Sequence, residues 1–77
     1  MNKQGELPGF GPDARDAFRF TWHNTMLGAR VWVEHRGKWR AGEVAGRGRQ
    51  YATVAIESAS GRRRRVRKLY AELRRLK

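Results

Sequence analysis

The chain has 77 residues, no cysteine and a formal net charge of +11, from 18 Lys and Arg against seven Asp and Glu. That length allows one small domain near the lower limit for burying a core unaided, and the absence of thiols excludes disulfides and thiolate metal sites. Hydrophobic residues at 39%, with three Trp, exclude a fully disordered chain, and no apolar stretch is long enough for a transmembrane helix or a secretory core. The expectation is a soluble, cytoplasmic protein with no membrane association.

Met1 to Gly11 is rich in Gly and polar residues and reads as a flexible arm. A short helix is expected from Pro12 to Phe20. Pro12 suits its first turn, Asp13 and Asp16 suit the positive end of its dipole, and Ala14, Phe18 and Trp22 fall on one face. Residues 1–27 thus form an arm plus a short helix, and 28–77 a separate β domain.

From Gly28 the period becomes strand-like. Arg30 to His35 alternates, with Val31 and Val33 on one face and Trp32 on the other. Arg36-Gly37-Lys38 is a tight turn. Trp39 to Ala45 is a second strand, with Gly42 marking a bulge or sharp bend. Gly46-Arg47-Gly48-Arg49 is a basic loop, and Tyr51 to Glu57 a third strand with Val54 and Ile56 inward. Ser58 to Gly61 turns the chain into a fourth strand over Arg63 to Lys68. Leu69 to Leu73 looks like one helical turn, and Arg74 to Leu76 a short last strand. Short strands separated by turn signals define a mainly all-β class and a small five-stranded barrel, bent at glycines so that few long edges remain.

The pattern Gly28-x-x-Val31-x-Val33, then Gly37-Lys38-Trp39-Arg40-x-Gly42-x-Val44, then Tyr51-x-x-Val54-x-Ile56, resembles the first three strands of an SH3-like barrel of the Tudor/KOW kind. The turn at Leu69 to Leu73 before Arg74-Arg75-Leu76 resembles the single turn preceding strand five in such barrels. The resemblance speaks for fold, and fold alone decides little about function. It implies three comparisons: basic nucleic-acid binders such as integrase C-terminal and KOW domains, Tudor readers with an aromatic cage, and the plasmid-borne type II dihydrofolate reductase. The reductase uses a Val-Gln-Ile-Tyr segment where this chain has Arg65-Val66-Arg67-Lys68, so its chemistry has no residues here. A reader of basic histone-like tails fits a +11 domain badly.

Charge carries the functional expectation. Residues 1–28 net to zero, whereas the 49 residues from Ala29 to Lys77 hold 15 of the basic side chains. The densest run is Arg62-Arg63-Arg64-Arg65-Val66-Arg67-Lys68. Such an excess repels itself unless a polyanion offsets it, and nucleic acid is the commonest one. Fourteen of the cations are Arg, which suits bidentate phosphate recognition; a GC-rich codon bias would produce the same ratio. On strand four Arg63, Arg65 and Arg67 share one face, and Arg64 and Val66 the other. The row can follow a phosphate backbone, or act as a solvated edge that blocks strand pairing. Arg62, Arg64, Lys68, Arg47, Arg49, Arg74 and Arg75 form a wider basic field, Arg74 and Arg75 joining it if strand five lies beside strand four. Trp32, Trp39, Tyr51 and Tyr70 could form an aromatic cage or a stacking platform, or pack the core and barrel rim; Trp39 is assigned mainly to packing, and Trp32 and Tyr51 are the candidates for stacking on bases. His23 and His35 make no metal set, and no nucleophile–base pair or phosphate loop occurs, so neither an enzyme nor a cofactor is expected.

The expected function is therefore non-enzymatic, mainly electrostatic binding of DNA or RNA with weak sequence preference, at the nucleoid or ribosome if the source is bacterial. The alternative is a protein-interaction module docking on an acidic partner or forming a homo-oligomer.

Overall fold

The computed structural model describes residues 11–57 and 60–76. Its strands are β1 (Arg30–His35), β2 (Lys38–Arg47), β3 (Tyr51–Glu57), β4 (Arg63–Leu69) and β5 (Arg74–Arg75), with one 3-10 turn at Tyr70–Glu72. All pair antiparallel in one sheet of order β4-β3-β2-β1-β5, a small barrel-like all-β fold compatible with an SH3-like arrangement. The arm expected over Met1 to Gly11 lies, except for Gly11, outside the described residues, as do Ser58 and Ala59 of the last hairpin.

Alternation builds the core. Val31 and Val33 of β1, Val44 of β2, and Ala52, Val54 and Ile56 of β3 are all essentially buried, and Phe20, Tyr70 and Leu73 complete the cluster. The buried Tyr70 hydroxyl donates to the Gly48 carbonyl at 2.6 Å, which satisfies its polar tip and ties the 3-10 turn to the β2–β3 hairpin. Between β1 and β2 the turn residues Arg36 (φ 53°) and Gly37 (φ 78°) both adopt left-handed backbone, as a two-residue type I′ hairpin requires. That turn fixes the register His35↔Lys38 through Arg30↔Glu43.

Gly42 does not carry the bulge expected of it. The register shift falls between Val44 and Gly46. Gly42 instead allows close approach, since a Cβ there would lie 2.7 Å from Val54 Cγ1 and 2.8 Å from the Ala55 carbonyl oxygen and from Ile56 Cγ2.

The helix expected over Pro12 to Phe20 is absent; residues 11–29 run as turns and extended chain. Short polar side chains outcompete the helix for its own backbone. Asp13 Oδ1 accepts from the Arg15 N–H at 2.9 Å, and Asp16 Oδ1 from the Phe18 N–H at 3.0 Å. A second turn forms where Asn24 Oδ1 accepts from the Thr21 N–H at 2.7 Å and the buried Thr25 hydroxyl donates to the Thr21 carbonyl at 2.6 Å. The aromatic face is therefore not Phe18 with Trp22. Phe18 and Phe20 meet edge to face at 5.0 Å, Phe20 enters the core, and Trp22 stays 41% exposed.

Strand five also lands differently. It pairs with β1, through Val31↔Arg75 and Trp32↔Arg74, at the edge of the sheet opposite β4.

Candidate nucleic-acid interface

The β3–β4 ladder decides which way the Arg-rich strand faces. Arg64, Val66 and Lys68 stand opposite Ile56, Val54 and Ala52, all core residues, and Val66 packs on that core. Arg63, Arg65 and Arg67 stand opposite Glu57, Ala55 and Thr53 on the outer face, and all three are exposed. Same-face neighbours on a strand are about 6.6–6.8 Å apart, twice the rise per residue. Small side chains lie alongside: Ala45 and Ala55 with Glu43 floor an open groove of about 290 Å³ walled by Arg63, Arg64 and Arg65. The guanidinium groups therefore rise above their surroundings. Among the described residues Arg63 and Arg65 have no hydrogen bond or carboxylate partner within the protein.

Tyr51 stands at the end of this row. It is 40% exposed, and the Arg67 guanidinium carbon lies 5.3 Å from its ring centroid. With Gly48, Arg49, Gln50, Thr53 and Arg67 it lines an open depression at the β2–β3 hairpin. One face of the sheet thus carries three exposed cations leading to an aromatic ring, with Arg49 at the adjacent exposed tip and Arg62 immediately before β4.

The other candidates divide. Trp32 is half-buried on β1 and lines a separate groove with Arg30, Ala41 and Arg75, so the fold does not bring it beside Tyr51. Arg47 is committed to the N-terminal segment: its Nη2 donates to the Trp22 carbonyl at 2.6 Å and its guanidinium stacks 4.9 Å over the Trp22 ring. Arg75 is held by a two-point contact with Asp16, Nε to Oδ2 at 3.0 Å and Nη2 to Oδ1 at 2.8 Å, and lies 4.7 Å over the Phe18 ring. Arg74 donates to the Ala71 and Leu73 carbonyls at 2.6 and 2.9 Å. Arg74 and Arg75 therefore do not extend the β4 row; they hold the chain together at the far edge.

Arg36, Arg40 and His35, at and beside the β1–β2 turn, were not among the residues singled out for binding. The signal lay in the turn: with Arg36-Gly37 as a two-residue hairpin, Arg40 falls opposite Val33 and so on its core-facing side. His35 continues the Val31, Val33 alternation and is half-buried at the end of β1. Burial, and then the charges of Arg36, Arg64, Lys68 and Arg40, hold its pKa below the ordinary imidazole value.

Among the described residues no group of His, Cys, Asp and Glu is arranged to hold a metal ion, and no helix is long and apolar enough to cross a membrane. No protein-family model, curated protein or solved structure matches this chain.

Proposed function

We propose that this protein binds nucleic acid without catalysing a reaction, gripping the phosphate backbone with the outer face of β4. The observation that carries this reading is the row Arg63, Arg65, Arg67, exposed on one face above small neighbours. Arg62 and Arg49 extend the field, while Arg64 and Lys68 add charge from the other side of the same strand. Arg47, Arg74 and Arg75 contribute charge but are already bonded within the fold. Tyr51 offers a ring for one unpaired base, with Arg67 already beside it. Phosphate contacts carry no base information, so sequence preference is weak. A cytoplasmic location, at the nucleoid or ribosome in a bacterium, accords with this activity. The test is a salt titration of affinity for generic duplex and single-stranded oligonucleotides. With six to eight phosphates neutralised, affinity falls by roughly three orders of magnitude or more between about 50 and 200 mM salt; a flat response refutes the mechanism.

A second reading has one observation in its favour. Trp22, Met26 and Leu27 are 41%, 66% and 64% exposed within one short segment, and apolar area of this kind marks docking faces. In this reading the segment docks on an acidic partner or a second copy of the chain. Sedimentation at high and low protein concentration, with Leu27→Lys as control, tests self-association.

A further inference from the structure

The hydrogen bonds at one end of the β3–β4 ladder fix the phase of the whole strand. The Tyr51 carbonyl accepts from the Gly48 N–H at 2.8 Å, and so points back towards the β2 side of its hairpin. Leu69, which stands opposite Tyr51, donates its N–H to Glu72 Oε1 at 2.9 Å and not to β3. Tyr51↔Leu69 is therefore a pair that exchanges no backbone hydrogen bonds. In an antiparallel ladder such pairs alternate with bonded ones, so Thr53↔Arg67, Ala55↔Arg65 and Glu57↔Arg63 are of the same kind. The N–H and C=O groups of Arg63, Arg65 and Arg67 hence point away from β3, along the edge where β4 ends the sheet. Among the described residues no loop backbone and no further strand bonds to them, and Glu72 closes the edge at Leu69.

An edge of this kind is a template for one more strand. Its charge decides which. Arg63, Arg65 and Arg67 set cations on one side of β4, and Arg64 and Lys68 on the other. Like charges directly opposite one another destabilise a strand pair. A second copy of β4 is thus refused, and so is β5 at the opposite edge, which consists of Arg74–Arg75. The same side chains favour a strand that places carboxylates opposite them. Val66 adds a second criterion, because it packs on the core between Arg64 and Lys68 and so calls for an apolar residue across from it. A phosphate backbone meets only part of this edge: its oxygens accept from N–H groups but offer nothing to the carbonyls. An extended peptide satisfies both.

We infer that the free edge of β4, from Arg63 to Arg67, takes up an acidic extended segment of a partner protein as an added strand, with an apolar residue opposite Val66. The inference goes beyond nucleic-acid binding and does not rest on it, and it uses other residues than Trp22, Met26 and Leu27.

The experiment uses the full chain and a blocked synthetic peptide, Glu-Glu-Glu-Val-Glu-Glu-Glu, which presents the same side chains read in either direction. Saturating peptide slows exchange of the Arg63, Arg65 and Arg67 amide protons, followed by NMR, by at least about tenfold. The amides of Arg64, Val66 and Lys68, on the β3 side of the strand, are the internal reference. Two isomers of the peptide, N-methylated on alternate amides in one phase or the other, carry the same charge. The isomer whose methyl groups meet β4 binds at least about tenfold more weakly than the other, having lost its donors to the edge carbonyls. Two isomers that bind alike, or Arg63, Arg65 and Arg67 amides that the peptide leaves unprotected, overturn the inference. Arg65→Pro and Arg65→Gln remove the same charge, but only proline removes an edge N–H, and it breaks no bond to β3. Peptide affinity is lower in Arg65→Pro than in Arg65→Gln by at least about tenfold. Equal affinities in the two folded variants refute the pairing, and the peptide isomers decide alone should Arg65→Pro not fold. The peptide is read with no nucleic acid present, so a salt-independent oligonucleotide titration would sink phosphate binding and leave these outcomes as they stand.

Discussion

Replacing Arg63, Arg65 and Arg67 together with Ser removes three exposed cations while touching nothing in the core. Their β3 neighbours across the ladder are Glu57, Ala55 and Thr53, all outward. Each phosphate contact contributes about 0.9 to the slope of log affinity against log salt on duplex DNA and about 0.7 on single strands. If each Arg meets one phosphate, the slope falls by about 2.7 on duplex and about 2.1 on single strands. Near 0.1 M salt that corresponds to binding weaker by about two to three orders of magnitude, uniformly across sequences. Fluorescence anisotropy with several unrelated oligonucleotides, each across a salt series, reads both quantities. Removing three like charges from one strand relieves self-repulsion, so the melting temperature holds or rises. A folded triple variant with an unchanged salt slope would show that the row is a solvated edge and that the phosphate contacts lie elsewhere.

Arg75→Gln separates a structural cation from a binding one: it removes the contact to Asp16, whose side chain is 10% exposed, and leaves the β4 row untouched. With Arg75 itself 43% exposed, the loss is on the order of 1 kcal/mol, or about 4–8 °C in melting temperature, with little change in oligonucleotide affinity beyond one unit of charge. Gly42→Ala inserts a methyl group within 2.8 Å of the Ala55 carbonyl oxygen, and calorimetry should show destabilisation of about 1–3 kcal/mol, as for other overpacked sites. His35 makes stability depend on pH. Its folded pKa lies below its ordinary 6.5, so the unfolded chain takes up the proton first as pH falls. The contribution is present above 6.5 and is lost as pH drops through the lowered folded value. Denaturant unfolding from pH 7.5 to 5 should therefore show a decline that His35→Gln reduces; an unchanged slope would mean that the imidazole does not feel the surrounding cations.

Local pattern was enough for the sheet and for the facing of the Arg row. Period-two alternation ties each residue to a side as soon as one neighbour is buried. Val54 and Ile56 inside therefore place Ala55 outside, and the hairpin register carries that choice to Arg65. The β1–β2 turn was legible for the same reason, because Arg36-Gly37 admits few backbone conformations. Gly42 was visible as special, but whether a glycine marks a bulge or a close approach depends on which chain lies across from it, here β3.

What the chain order concealed is how each cation is used. Arg47 and Arg65 look alike in a sequence, yet one is bonded to the Trp22 carbonyl and the other is exposed beside small residues. The partners of Arg75 lie 59 positions away, at Asp16, and that same carboxylate takes the Phe18 N–H that a helix would have used differently. Helix signals in residues 12–22 were real, but they were outweighed by side-chain-to-backbone turns and by the docking of Phe20 in a core formed mostly by distant strands. The pairing of β5 with β1 likewise settles which edge Arg74 and Arg75 occupy. Sequence alone determines the sign of the charge and the side of a strand on which it stands. Which charges remain available to a ligand is decided by contacts between residues far apart in the chain, and so only by the tertiary structure.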